Sequence, residues 1–413
     1  MAAADRARWR LVDALCAAGR VRTPAVEDAF RAVPRHRFLP GIPLDEAYAD
    51  HAVAVQRVGG LPTSSASQPS MMAIMLEQLD LRSGHRVLEV GAGTGYNAAL
   101  MARIVGPASA VTAVDIDADL VAAAVKNLTT TGTTGVELLC ADGAFGHPPG
   151  APYDRIVLTV GSVDIRSEWV DQLVPDGRLL LPLAVRGSQL SVALDLGADG
   201  LLRSDSVRSC AFIRLRGVGA VAEPRVPLTE DGIAIRLSDD TRTPVAPDAV
   251  LTALGAPGPA RPTGINVGPA DVWDGLGLWI ALAEPAVFRL LLTGRAARSP
   301  LAAELFALGP DRGTVALAAG GGLAALVVEP ESAGWVGPLG VRSFGADVLA
   351  ADRMVALVEG WVVAGRPSAA DLRFVVIPHT VAAGPVPPGV TVIDKGHVRL
   401  LVSWAGQECG RQP

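Results

Sequence analysis

Cysteine, aromatic residues and long apolar runs are all scarce in this sequence. Its cysteines, Cys16, Cys140, Cys210 and Cys409, are far apart and form no Cys-x-x-Cys pair. Neither a disulfide framework nor a cysteine metal site is therefore expected. No run of about eighteen apolar residues is present, and the charged N-terminus lacks the apolar core of a signal peptide. These absences predict a cytoplasmic protein with no membrane partner.

Positive charge is also in short supply. Lys and Arg number 36 against 42 Asp and Glu, a formal net charge of -6. Because this balance does not favour binding to a phosphate backbone, no nucleic-acid partner is expected. The sequence also lacks the Ser-His-Asp, Cys-His and metal-ligand patterns, and His379 and His397 have no partners at metal-site spacing. No bound metal is therefore expected.

The length of 413 residues favours more than one domain. A linker rich in Val, Pro and Gly at 217–228 divides the chain, which predicts a catalytic domain over 1–217 and an accessory α+β domain over 229–413. In the second domain, Gly320-Gly321-Gly322 is interpreted as a hairpin turn, because no Lys-Ser/Thr follows it. This domain contains no catalytic constellation. Its two candidate roles are peptide docking and dimerisation, the latter implying a homodimer.

Three glycines at alternate positions interrupt the first half of the chain. A mostly apolar run over 86–90 predicts a buried strand, Gly91, Gly93 and Gly95 follow it, and a helical pattern begins at Asn97. A strand that ends in a glycine turn and enters a helix brings backbone amides close to a ligand. The Gly-x-x-Gly spacing of dinucleotide sites is not met, and an ordinary tight turn would have the same pattern.

Three further predicted strands are followed by residues suited to ligand binding: 110–114 by Asp115, 136–140 by Asp142 and Gly143, and 153–160 by Gly161. Asp115 lies about twenty residues past the glycine turn, where α/β nucleotide folds place a carboxylate on the ribose hydroxyls. Because the carboxyl ends of parallel strands meet at one sheet edge, these groups together predict an adenosyl pocket.

This combination resembles the class I S-adenosylmethionine (SAM)-dependent methyltransferases. The resemblance implies an α/β fold, with a doubly wound Rossmann-like sheet beside the C-terminal α+β domain, and SAM as the cofactor. It implies that Gly91, Gly93 and Gly95 line the cofactor, that Asp115 binds its ribose and that Asp142 meets its adenine amino group, with Gly143 and Gly161 at the neighbouring strand ends. Glu89 would brace the turn, or would serve only as its cap.

Segments that precede the glycine turn make the resemblance closer. Val33-Pro34-Arg35-x-x-Phe38-x-Pro40, Ala47-Tyr48-x-Asp50 and Ser65-Ala66-Ser67-Gln68-Pro69 are similar, in that order, to segments of the protein-L-isoaspartate O-methyltransferases. The similarity covers 5–215 and implies a carboxyl O-methyltransferase that acts on a peptide or protein. It implies that Ser67 hydrogen-bonds the acceptor carboxylate with support from Ser65, although Ser65 at this position would also suit a helix cap.

Two departures from the family pattern bear on the acceptor. The usual Gly-x-Gly-Gln-Thr is replaced by residues 60–65, Gly-Leu-Pro-Thr-Ser-Ser, and about half of the chain follows the similar region. Longer relatives that accompany graspetides and lanthipeptides esterify an aspartate side chain, which then closes to an aspartimide. Similarity to them favours an aspartate in a modified ribosomal peptide as the acceptor. The alternatives are repair-type methylation of isoaspartate (or D-aspartate) in proteins, methylation of a small molecule, and a non-catalytic SAM-fold binding subunit.

Overall fold

The computed structural model describes residues 3–107, 110–238, 245–329, 335–382 and 384–406, so Cys409 lies outside the described residues. Its helices are α1 (Ala3–Ala17), α2 (Pro24–Ala32), α3 (Leu44–Ala47), α4 (Pro69–Leu79), α5 (Tyr96–Val105), α6 (Ala118–Thr131), α7 (Ser167–Val170), α8 (Pro247–Leu254), α9 (Pro269–Asp271), α10 (Gly277–Ala283), α11 (Pro300–Ala303) and α12 (Leu349–Val363). No helix in these ranges is both long enough and apolar enough to cross a bilayer.

The strands of the first half are β1 (Val53–Val58), β2 (Leu61–Ala66), β3 (Val87–Val90), β4 (Val111–Asp115), β5 (Val136–Cys140), β6 (Tyr153–Leu158), β7 (Leu173–Val185), β8 (Ser188–Leu196) and β9 (Leu202–Ser209). Those of the second half are β10 (Arg225–Pro227), β11 (Ile233–Arg236), β12 (Pro257–Val267), β13 (Val287–Leu292), β14 (Phe306–Leu308), β15 (Asp311–Ala319), β16 (Gly322–Val328), β17 (Gly337–Phe344), β18 (Leu372–Pro378), β19 (Thr391–Asp394) and β20 (Val398–Trp404).

The larger sheet has the strand order β19-β20-β18-β9-β8-β7-β6-β3-β4-β5. From β7 to β5 the neighbouring strands are parallel, and from β7 to β19 they are antiparallel. All four residues of β3 are buried, as expected for a central parallel strand that is covered on both faces. The α/β class and the Rossmann-like sheet that the sequence predicts are confirmed.

Alternate residues of the parallel strands enter two separate cores. Val87 and Val111 point into the core that contains Phe30, on the face covered by α1, α2, α4 and α5. Leu88 and Val114 point into the core on the opposite face, which is covered by α7 and α10. Helices on both faces leave the carboxyl edge of the parallel strands as the place where a ligand can bind.

The second sheet is antiparallel, with the order β10-β11-β13-β15-β16-β17-β12 and β14 paired to β15. The strands that follow it return to the larger sheet, where Val376 of β18 pairs with Leu202 of β9. Leu278 and Leu282 of α10 also belong to the core that contains Leu88. Along the chain, the first sheet is interrupted after β9 and the second begins with β10, inside the predicted linker 217–228. Residues 372–404 then complete the sheet of the first half.

Local predictions agree with the structure where propensity decides the outcome. The hairpin turn at Gly320-Gly321, where both residues have positive φ, is confirmed. Residues 33–40 include two prolines and contain the 3₁₀ turn Arg35–Phe38. Residues 53–66 form the hairpin of β1 and β2, because the Gly59-Gly60 turn supplies positive φ angles.

Candidate active site

A cavity of about 510 Å³ lies at the carboxyl ends of β3, β4 and β6. Its lining comes from the β1–β2 hairpin, the glycine turn, the end of β4 and residues 209–216, which we call the wall segment. A smaller cavity of about 50 Å³ adjoins it and shares Ser65, Ser67, Gly91 and Gly93 with it. The structure thus brings the glycine turn and the serine-rich strand together at one cleft.

The first two glycines of the turn face this cleft, and the third does not. A Cβ on Gly91, whose φ is +100°, would lie 2.8 Å from Cγ1 of Val160, so a side chain there would displace the neighbouring strand end. Gly93 donates its N–H to Oδ2 of Asp115 over 3.0 Å. Gly95 is absent from the lining of both cavities and faces α6, where its Cβ would lie 3.3 Å from Ala124. Its small size serves helix packing.

Glu89 is a fully buried acid that lines the smaller cavity. Its Oε1 accepts a hydrogen bond from the side-chain amide of Asn97 at 2.8 Å, while its Oε2 has no hydrogen-bond partner among the described residues. Burial raises the pKa of Glu89 to about 8, and the nearby charge of Asp115 adds to this rise. A buried, unpaired carboxyl oxygen beside a cavity is suited to a cationic ligand group.

Asp115 ends β4 and is 9% exposed. Its Oδ2 accepts the Gly93 N–H, and its Oδ1 accepts the N–H of Asp117 at 3.2 Å. Nη2 of Arg216 lies 3.6 Å from Oδ1, so a guanidinium lies beside this carboxylate. Asp115 lines the larger cavity, in accord with the position expected of it.

Asp142 and Gly143 both follow β5, and of these two residues only Gly143 lines the larger cavity. Gly143 lines the larger cavity, and a Cβ there would lie 2.3 Å from Cγ1 of Val90. Asp142 is not among the lining residues, because its two carboxylate oxygens accept the N–H groups of Ala144 at 2.9 Å and Val218 at 2.7 Å. The structure therefore shows Asp142 holding the turn Gly217–Gly219, with both oxygens already engaged.

Gly161 is likewise a support rather than a lining residue. It exchanges backbone hydrogen bonds with the wall segment, donating to Ile213 and accepting from Leu215, each at 2.8 Å. A Cβ on Gly161 would lie 2.1 Å from Nε2 of Gln189. A side chain at this position would therefore displace the end of Gln189, which binds the backbone of Phe212.

Ser65 and Ser67 line both cavities at the end of the hairpin. The buried Arg35 holds the Ser65–Ser67 segment in place. It donates hydrogen bonds to the carbonyl oxygens of Ala47 at 3.0 Å and Ser67 at 2.8 Å. Asp50 holds the residues that follow this segment, because its Oδ1 accepts the N–H of Ser70 at 2.8 Å. Ser65 belongs to β2 rather than capping α4, whose N-cap is Gln68.

Arg35 is a site residue that the sequence reasoning quoted only as part of a motif. It lines the same small cavity as Glu89, and desolvation lowers the pKa of its guanidinium. Thr159, Tyr96 and Phe212 were also missed, although all three line that cavity. Their signals in the sequence were weak: Thr159 is the last residue but one of the fourth predicted strand, and Arg35 shares a proline-bounded segment with the basic residues His36 and Arg37.

No group of three or more His, Cys, Asp or Glu side chains within the described ranges is arranged to hold a metal ion. Cys210 lines the cleft as part of the wall segment, and burial raises the pKa of its thiol. The chemistry of the cleft therefore depends on backbone amides, hydroxyls, two acids and a buried guanidinium.

Comparison with known proteins gives matches over the half of the chain that forms this cleft. The profile of the protein-L-isoaspartate(D-aspartate) O-methyltransferase family matches residues 6–219. The protein-L-isoaspartate O-methyltransferase of Methanopyrus kandleri is 40% identical over 220 residues, which are 53% of this chain and 95% of that protein. That of Thermotoga maritima is 39% identical over 165 residues, which are 40% of this chain and 52% of that protein.

A solved structure of a protein-L-isoaspartate O-methyltransferase shares 23% sequence identity with the chain. It covers 89% of this chain and 96% of its own length, with a TM-score of 0.49. The family of the chain is established by the profile match and the sequence relatives, and not by this structural likeness.

Proposed function

Because the chain belongs to the protein-L-isoaspartate(D-aspartate) O-methyltransferase family, we propose that it methylates the free carboxylate of isoaspartyl residues in proteins or peptides. Membership makes the chain a SAM-dependent carboxyl O-methyltransferase. The observation that carries the proposal is the single cleft that joins the glycine turn to Ser65 and Ser67. A donor site and an acceptor site must meet in this way for a direct methyl transfer.

The residues present fit the cofactor. Gly91 lines the cleft with its backbone, because its positive φ and its close approach to Val160 and Thr159 exclude a side chain. The unpaired Oε2 of Glu89 is suited to the cofactor's ammonium group. Asp115 is placed to hold the ribose hydroxyls through its remaining lone pairs. When bound, SAM supplies an electrophilic methyl group on a sulfonium. Asp142, with both oxygens engaged by backbone N–H groups, would contribute to the adenine edge mainly through the turn that it holds.

The acceptor needs alignment rather than activation. A carboxylate is ionised at neutral pH, so no general base is required to make it a nucleophile. The chain must instead hold one carboxylate oxygen in line with the methyl group at near-attack distance. We assign this task to the hydroxyl of Ser67, supported by Ser65. The buried charge of Arg35 holds the backbone of Ser67 in place and favours an anion nearby.

Esterification of an aspartate in a modified ribosomal peptide is a second candidate. Its support is the region beyond residue 219, which lies outside the family match and is joined to the catalytic sheet through β18. The matched region also covers only 52% of the Thermotoga maritima relative, so about half of that protein lies outside it too. Length beyond the match therefore does not separate the two candidates, and isoaspartate is the better supported acceptor.

Matched synthetic peptides test the acceptor. One peptide carries isoaspartate at its centre and the other carries aspartate at the same position, and radiolabelled methyl incorporation from SAM is measured for both. Methylation of the isoaspartyl peptide alone is the expected result. Absence of labelling in the isoaspartyl peptide, together with labelling of a modified ribosomal peptide, would favour the second candidate.

Replacement of Ser67 tests the assigned role. Ser67→Ala should lower kcat/KM for the isoaspartyl peptide by about 10- to 100-fold, because a hydrogen bond to a charged acceptor is lost. Cofactor affinity, measured by calorimetry, should stay within about twofold. Ser70→Ala is the matched control, since Ser70 uses its backbone N–H to bind Asp50. Equal kinetics for the two variants would contradict the assignment.

A further inference from the structure

The C-terminal region reaches the rim of the cleft at one side chain, that of Asp274. This residue lies in the π-helical turn Val272–Leu276, and its Oδ1 accepts a hydrogen bond from the hydroxyl of Ser209. Ser209 is the last residue of β9 and the first residue of the wall segment that lines the larger cavity. Single π-helical turns are rare and frequently mark functional positions. The contact therefore joins the second half of the chain to the lining of the cleft.

The turn that carries Asp274 is firmly held. A Cβ on Gly275 would lie 2.8 Å from the carbonyl oxygen of Pro367, which also accepts the Trp361 indole N–H at 2.9 Å. The neighbouring Trp273 ring lies 5.0 Å from the guanidinium carbon of Arg289. Because close packing surrounds the turn, the Asp274 carboxylate is presented to Ser209 from a fixed position.

Arg289 also fixes the turn relative to the catalytic sheet. Its Nη2 donates to the hydroxyl of Ser188 at 2.7 Å, and Ser188 is the first residue of β8, which pairs with β9. The turn that carries Asp274 and the strand end that carries Ser209 are thus both attached to β8.

Beyond Ser209, the wall segment is supported from the catalytic half of the chain. Gln189 binds Phe212 on both backbone groups, accepting from its N–H and donating to its carbonyl oxygen at 3.2 Å. The backbone carbonyl of Gln189 also accepts the Cys210 N–H at 3.0 Å, and Gly161 pairs with the next residues. Arg214 of the segment also donates to the carbonyl oxygens of Val221 and Ala222, in the linker between the two sheets. Asp274 is a side-chain support from beyond that linker, and it acts at the end of the segment where β9 stops.

We propose that Asp274 is a positioning residue for the methyl acceptor. By holding Ser209 it places residues 209–212, which line the same cavity as Ser65 and Ser67. The C-terminal region thereby shapes acceptor binding while the glycine turn and Asp115, on other strands, bind the cofactor independently. This inference rests on the proposed carboxyl methyltransferase function, and it gives the region beyond residue 219 a role in acceptor recognition.

Kinetics with the isoaspartyl peptide test the proposal. Asp274→Ala should raise KM for the peptide about three- to tenfold, in line with the loss of one hydrogen bond. The value of kcat and the cofactor Kd should remain within about twofold of wild type. Asp274→Asn keeps an acceptor oxygen for the Ser209 hydroxyl and should restore KM to within about twofold. Asp352→Ala is the matched control, because it removes an ion pair with Arg261 within the same region.

An unchanged KM in Asp274→Ala would overturn the proposal. So would an equal loss of cofactor affinity, since that result would indicate general loosening of the fold. Failure of Asp274→Asn to restore KM would also contradict it, because the proposed role requires only an acceptor atom.

Thiol labelling provides a readout that needs no acceptor. Cys210 follows Ser209 and lines the cleft, whereas Cys140 is exposed at the end of β5 and serves as an internal reference. Labelling of intact protein with iodoacetamide, followed by peptide mass spectrometry, should show Cys210 reacting severalfold faster in Asp274→Ala, with Cys140 unchanged. An unchanged rate of Cys210 labelling would overturn the proposal that Asp274 holds Ser209 in place. If the wild-type protein methylates no isoaspartyl peptide, the proposed function fails. The rates of Cys210 labelling still decide whether Asp274 holds the wall segment.

Discussion

An acidic side chain, Glu89, and a basic one, Arg35, line the same small cavity without forming an ion pair with each other. Burial raises the pKa of Glu89 and lowers that of Arg35, because desolvation penalises the charged form of each side chain. Such perturbed groups cluster where ligands bind, because the ligand completes the missing interactions. In this cleft the ammonium of the cofactor would satisfy Glu89, and an acceptor carboxylate would lie in the field of Arg35.

Cofactor binding should depend on pH through Glu89. Its pKa of about 8 leaves the carboxyl mostly protonated at pH 7, and a bound ammonium group favours the ionised form. Affinity for S-adenosylhomocysteine, measured by calorimetry from pH 6 to 8.5, should therefore rise with pH and level off above about pH 8. Glu89→Gln should bind about tenfold more weakly at pH 8 and should lack this rise. Glu137→Gln, on the exposed side of β5, is the control.

The stability of the cofactor-free protein tests the direction of the Glu89 pKa shift. Because the folded pKa of Glu89 lies above its ordinary 4.5, its stabilising contribution is complete below pH 4.5 and is lost as pH rises toward 8. In urea denaturation, wild type should lose up to about 1.4 kcal/mol per pH unit relative to Glu89→Gln within that window. A parallel pH profile for the two proteins would show that Glu89 is ionised throughout.

At the scale of elements, Asp117 joins the β1–β2 hairpin to helix α6. Its Oδ1 caps the helix by accepting the N–H groups of Asp119 and Leu120, and its Oδ2 accepts from the Gln56 side chain at 2.7 Å. Nη1 of Arg216, in the wall segment, lies 3.7 Å from the same Oδ2. Three elements that border the cleft therefore meet at one carboxylate, although they are distant along the chain.

Removal of this carboxylate should loosen the hairpin and the helix together. Asp117→Ala should lower the free energy of unfolding by about 1 kcal/mol through the lost cap, and limited proteolysis within 53–66 should accelerate. The hydrogen bond from Gln56 lowers the pKa of Asp117, so its contribution should persist at neutral pH and be lost in acid as the group is protonated. Asp119→Ala is the control, because Asp119 takes part in the cap through its backbone. Similar proteolysis of both variants would argue against the junction.

At the scale of the whole molecule, the chain returns to its first sheet after building a second one. Strand β18 pairs with β9 and with β20, and Phe374 donates its backbone N–H to the hydroxyl of Ser204 at 2.9 Å. The core on this face contains Phe374 and Leu400 together with Leu88 and Trp169 of the catalytic half. Because one core is shared, the two halves should not unfold independently.

A single core substitution in β18 should therefore disturb cofactor binding at a distance. Phe374→Ala should lower the free energy of unfolding by about 3–5 kcal/mol. Loss of S-adenosylhomocysteine binding on heating should coincide with loss of helical circular dichroism, in one transition at a lower Tm. Val363→Ala, at a position 88% exposed on α12, should change stability by less than about 0.5 kcal/mol. Retention of cofactor binding after an early, separate transition would show that the halves are independent.

The sequence by itself determined the parts of this protein that depend on local pattern. The apolar run before Gly91, the glycine spacing and the acid that ends β4 predict a parallel sheet and its ligand-binding edge, since strand burial and turn conformation depend on neighbouring residues. Ser65 and Ser67 were placed near that edge through resemblance alone. Periodicity could not place them there, because their strand is short and its pairing has register shifts.

Tertiary structure decided what those local patterns leave open. Only folding directs Gly95 toward α6, engages Asp142 with the turn Gly217–Gly219, and buries Arg35 beneath the acceptor segment. It alone returns β18 to β9 and brings Asp274 to Ser209, across 65 residues of chain. Long-range strand pairing is not encoded in any short window of sequence, because its free energy comes from burial against partners that the chain brings together only when it folds.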